Sequence, residues 1–142
     1  MRKLAKPTVS LILALLFSGL PIITAALSEA TPGGLLNFIS APWLLEPASD
    51  SVNLKEKEFL EFKWKPDLSV NTDYYDFRLY KSYAMLASTL ILKQRVNANE
   101  FSFKVAAADF KNGQVYTWSL RRVILTGEKS DKSFSSFKVT KD

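Results

Sequence analysis

The sequence predicts an all-β fold, an antiparallel two-sheet sandwich of about seven short strands. Three observations carry that expectation. Residues 113–124 run from a turn glycine, Gly113, into a segment that places Tyr116, Trp118, Leu120 and Ile124 on one face. Two earlier segments alternate in the same way, through Leu60, Phe62 and Trp64, and through Tyr75, Phe77 and Leu79. Turn signals recur about every ten residues, with no long amphipathic helix between them.

The elements follow in order. Residues 42–47 are bounded by Pro42 and Pro47, which suits a first edge strand where missing N–H donors do little harm. Residues 48–51 are expected to turn. Residues 58–65 form a half-buried strand with Glu61 and Lys63 on the solvent side, ended by Pro66 and Asp67. Residues 73–81 form the next strand, with Asp76, Arg78 and Tyr80 outward. Residues 84–96 are either a short helical turn leading into a strand or one long apolar strand; the β-branched cluster after Thr89 favours a strand ending near Arg95. Phe101, Phe103 and Val105 alternate again, and residues 106–110 make a short connection of about one helical turn. Asn112 and Gly113 make the reversal, because both tolerate positive φ. Residues 133–140 form the last strand, with Phe137 and Val139 sharing a face. Phe134 has the wrong parity and is expected at a bulge or at the rim.

The 142 residues divide into a targeting segment, 1–30, a linker, 31–41, and a domain of about a hundred residues, 42–142. Arg2, Lys3 and Lys6 precede an uncharged run from Thr8 to Leu27, followed by small residues: the layout of a secretory signal peptide. The alternative is an uncleaved anchor over residues 8–27, about the length that spans a bilayer. Either way the domain is expected outside the cytoplasm, in the periplasm or beyond the cell. Removing Arg2, Lys3 and Lys6 from 19 cations, and Glu29 from 14 anions, leaves 16 and 13, an excess of +3. Spread over many strands, that charge serves solubility and not nucleic-acid binding.

Cysteine and histidine are both absent. Their absence excludes a disulfide framework, a thiolate metal site and the commonest general base, and it argues against an enzyme. Neither a cofactor nor a metal is expected.

These residues resemble a known pattern. Pro47, Phe62 with Trp64, then Tyr75, Phe77 and Leu79, then Gly113, Tyr116, Trp118, Leu120 and Arg121 are similar to the fibronectin type III-like, immunoglobulin-like modules of bacterial envelope and extracellular proteins. The resemblance spans roughly residues 42–139. It implies that Trp64 fills the core from the second strand and that Tyr116 closes the corner of the penultimate one. It also implies a spacer or interaction module without catalysis. The Arg-Gly-Asp adhesion tripeptide of some animal modules is missing, so no adhesion role carries over.

The remaining constellations have plain structural readings. Ser135 and Lys138 match a nucleophile pair only on a helix; on a strand they point to opposite faces. Glu56, Glu58 and Glu61 interleave with lysines and read as a solvated edge, and Asp73 and Asp76 have opposite parity. Arg121 should face solvent. Arg122 shares the parity of the buried rings and should reach the sandwich end or pair with a carboxylate. Trp43, Tyr74, Tyr80 and Tyr83 are expected nearest the surface. The expected partner-binding surface is Asp76, Arg78, Tyr80, Tyr83 and Trp43. Its partner is expected to be another envelope or extracellular protein, with carbohydrate stacking on the exposed rings as the alternative.

Overall fold

The computed structural model describes residues 38–67 and 71–142. The expected signal segment and most of the expected linker lie outside them. Among the described residues, eight strands form two sheets: β1 (Leu44–Glu46), β2 (Ser51–Asn53), β3 (Phe59–Trp64), β4 (Thr72–Lys81), β5 (Leu90–Asn97), β6 (Ser102–Ala106), β7 (Val115–Ile124) and β8 (Ser133–Thr140). The smaller sheet has the order β1-β3-β6 and the larger β2-β8-β7-β4-β5. All pairings are antiparallel except β2 with β8, which is parallel.

The first strand changes sheet. β1 pairs with the end of β3 through Leu44↔Trp64 and Glu46↔Lys63. Pro47 then breaks the ladder, since it has no N–H to give. The chain next joins the larger sheet, where Lys138 N–H donates to the Asp50 carbonyl (2.8 Å) and Leu54 N–H to the Thr140 carbonyl (2.8 Å). This corrects the turn expected over residues 48–51: it runs straight into β2, a three-residue strand too short to show alternation.

Alternate residues of the two sheets meet in one aromatic layer. Phe62 on β3 lies 5.1 Å from the Phe77 ring, 5.1 Å from Trp118 and 5.9 Å from Phe137, measured between centroids. Trp64 packs against Tyr75 at 5.4 Å. Both tryptophans are dry, at 1% and 0% exposure for Trp64 and Trp118. Trp64 therefore fills the core as the resemblance implies. The Tyr116 hydroxyl accepts a hydrogen bond from the Lys111 N–H at 2.9 Å, five residues upstream. That is the tyrosine corner of immunoglobulin-type sandwiches, tying the turn at Gly113 (φ +78°) to the core.

The ends of the strands depart from strict alternation. Val123 and Ile124 are both buried, because the β4–β7 register shifts between Thr72 and Tyr74. Residues 87–89 form a 3-10 turn before β5, which extends two residues past the expected end at Arg95. Phe134 sits at the rim on the outer face, 59% exposed, in unbroken register with Ser119.

Candidate binding surface

Asp76 and Arg78 stand two apart on β4, so both side chains leave the same outer face of the larger sheet. The guanidinium grips the carboxylate at two atoms: Nε donates to Oδ1 and Oδ2 at 3.3 and 3.2 Å, and an Nη to Oδ2 at 2.9 Å. Hydrogen bonding to Asp76 raises the Arg78 guanidinium above its ordinary pKa. Around this pair the register sets further cations. Asp76 lies opposite both Arg95 and Arg121, and Arg78 lies opposite Lys93 and Ser119. Arg95 reaches Asp73 at 3.2 Å and covers the Tyr74 ring, its Cζ 3.7 Å from the centroid. Four cations thus surround two carboxylates, and the face carries a positive excess. Crowding by these side chains leaves Asp76 only 7% exposed.

Of the other expected site residues, Tyr80 shares this face and hydrogen-bonds to Arg78, whereas Tyr83 and Trp43 are not brought to it. Tyr80 is buried at 3% exposure, a correction to its expected place at the surface. The β4–β5 register shifts between Leu79 and Tyr80, and the connection after β4 lies over this end, where the Thr117 hydroxyl donates to the Ser82 carbonyl at 2.8 Å. Tyr83 is exposed in that connection. Trp43, 70% exposed, precedes β1 at the level of Trp64 and Tyr75. The stretch of β4 from Tyr75 to its end at Lys81, about 20 Å long, separates that level from the connection that carries Tyr83. The four rings expected near the surface therefore do not assemble one stacking platform: one is buried, one lies under Arg95, and two stand at opposite ends.

At the Trp43 end, Arg122 points inward as its parity requires and forms an ion pair with Asp67. Its side chain is 7% exposed and that of Asp67 27%. Tyr75 lies beside them. Burial first, and the negative charge of Asp67 second, push its hydroxyl above the ordinary tyrosine pKa. The Asp67 backbone and the Trp64 indole approach the Tyr75 oxygen, but the hydroxyl makes no hydrogen bond of regular geometry. Sequence reasoning anticipated a carboxylate for Arg122 without naming Asp67, and it placed Tyr75 only in the core. An acid directly after a strand-ending proline was the one available signal.

Elsewhere, carboxylates near the expected edge have cationic neighbours: Lys63 lies 3.2 Å from Glu46 and 3.7 Å from Glu61. Ser135 and Lys138 fall on β8 with odd separation, so they face opposite sides of the sheet.

Sheet order, aromatic layer and tyrosine corner together define a fibronectin type III-like, immunoglobulin-type sandwich. No family model matches the chain, and no curated protein matches it. Among solved structures it is similar to one described as a myokine, at 16% identity and TM-score 0.49, over 72% of this chain and 98% of that one. It is similar to the third fibronectin III domain of the human KIAA0343 protein, at 16% identity and TM-score 0.45, over 72% and 86%. It is also similar to part of a β-1,2-glucanase from Parabacteroides distasonis, at 16% identity and TM-score 0.47, over 75% of this chain but 13% of the enzyme.

Proposed function

We propose that this protein is an exported, non-enzymatic interaction module, a subunit of a cell-envelope or surface assembly that docks another protein on the outer face of its larger sheet. The observation that carries this reading is the cationic face around the Asp76–Arg78 pair. Its groups are fixed by register, and fixed charges of one sign steer a partner of the other and set its orientation. The N-terminal basic and apolar segment supports export. The lack of histidine and cysteine supports a role without catalysis.

A photo-reactive residue at Lys93, on this face, tests the proposal against one at Lys104, exposed on β6 of the smaller sheet. In the native exported fraction, position 93 is expected to yield one discrete adduct that position 104 does not. Arg121→Glu is expected to reduce that adduct at least about tenfold, since like charges across an interface cost several kcal/mol. Equal labelling from both positions, or an adduct indifferent to Arg121→Glu, would refute docking through this face.

A further inference from the structure

Two concavities meet at Trp43. One, of about 360 Å³, is lined by Pro42, Trp43, Lys65, Asp67, Tyr75 and Arg122. The other, of about 370 Å³, also borders Trp43 and is lined on its far side by Phe134 and the serines beside it. Each lies within the size range of small-ligand sites, about 300–1,000 Å³. Trp43 is 70% exposed and Phe134 59%, whereas the core rings Phe62, Trp64, Phe77 and Trp118 are dry. Two exposed aromatic rings lining one cleft form an apolar surface that a folded protein gains nothing by leaving wet.

The floor of the first cleft narrows the choice of ligand. Arg122 supplies donors and Asp67 supplies an acceptor, held together by their ion pair at a place largely removed from water. Tyr75 is fully buried, lines the same cleft, and its hydroxyl lacks a regular hydrogen bond. A purely anionic ligand would meet the Asp67 charge there and a purely cationic one the Arg122 charge. A neutral group that both donates and accepts satisfies both. Lys65 adds donors to the lining.

We infer that this end of the sandwich is a saccharide site, taking a neutral β-linked pyranose chain. A pyranose has an apolar C–H face that stacks on an indole and a rim of hydroxyls that each donate and accept, the combination this cleft offers. A β-linked chain with equatorial hydroxyls is flat enough for one ring to lie on Trp43 over the polar floor and the next to reach Phe134. Phe134 stands at the rim of the outer sheet face, but the site uses none of the charged groups around Asp76 and Arg78, so charge reversal there separates it from protein docking.

The exposed indole supplies its own reporter, because Trp64 and Trp118 are already dry. Titration of the folded domain with cellotetraose and, separately, chitotetraose is expected to shift tryptophan emission to the blue for at least one of them. Calorimetry is expected to give a dissociation constant on the order of 0.1–1 mM, modest as suits a shallow open site. Trp43→Ala is expected to weaken binding at least tenfold without changing the melting temperature, since the ring is exposed. Phe134→Ala and Tyr75→Phe should each weaken it about threefold, and Lys93→Glu should leave it unchanged. Failure of both sugars to bind at 10 mM overturns the inference, as does binding that survives Trp43→Ala.

Discussion

Phe62→Ala is expected to destabilise the domain by about 3–5 kcal/mol, the usual cost of removing a fully buried aromatic ring. Phe62 meets rings on three strands of the opposite sheet: Phe77 on β4, Trp118 on β7 and Phe137 on β8. Phe110, in the connection before β7, adds a fourth contact at 6.5 Å. Its removal opens a void bounded by large, rotamer-locked rings that cannot collapse into it. A domain of this size has a total stability of about 5–15 kcal/mol, so the variant approaches the unfolding threshold. Each kcal/mol shifts the melting temperature of such a domain by about 4–8 °C, which predicts a fall of at least about 12 °C by circular dichroism. Phe59→Ala, on the same strand but 49% exposed, is the matched control and should cost under about 1 kcal/mol. Similar losses for the two variants would contradict the inward and outward assignment of β3.

The second large effect is expected at Asp67. Asp67→Ala removes the carboxylate that faces the buried Arg122 guanidinium, and breaking a buried pair from one side typically costs about 3–5 kcal/mol. The lower end applies here, because the Asp67 side chain is 27% exposed and water can replace part of the interaction. Replacing both partners, Asp67→Ala with Arg122→Met, removes the charge along with its counter-charge. That double variant should recover most of the loss, since an apolar side chain of similar length suits the flank of Tyr75. Denaturant unfolding of the two single variants and the double variant measures the coupling directly. Additive losses would show that the pair does not act as a unit. Arg122→Met alone should be milder than Asp67→Ala, because the carboxylate it leaves is partly hydrated and keeps the Ser40 hydroxyl at 3.2 Å.

The core of this fold was legible because its rings sit at every other position. Phe62 and Trp64, Tyr75 and Phe77, and Tyr116 and Trp118 each share parity with their strand neighbours, and one dry layer between two sheets is the arrangement that buries them all. The ends were less legible, because there pairing and not burial decides the conformation. β2 is three residues held by hydrogen bonds to β8, and its side chains carry no alternation to betray it. Tyr80 has outward parity, yet the connection after β4 folds over that end of the sheet, which no local pattern encodes. The site was legible in part. Asp76 and Arg78 share a face because they are two apart on a strand, and the sequence showed that much. Their cationic surroundings depend on the registers of β5 and β7, which bring Arg95, Lys93 and Arg121 opposite them. Trp43 was recognised as exposed. Its neighbours Asp67, Tyr75, Arg122 and Phe134 come from four separate stretches of chain, and only the closed sandwich places them around it.

Solvent exposure of the three tryptophans is the most direct test of the whole account. With 5-fluorotryptophan incorporated throughout, the folded protein should give three fluorine resonances. One of them, assigned by Trp43→Phe, should move on exchange from light to heavy water, while the Trp64 and Trp118 signals stay fixed. Solvent-sensitive resonances for Trp64 and Trp118 would mean that no dry layer joins the sheets, and a solvent-insensitive Trp43 would remove the open indole on which the saccharide site is built.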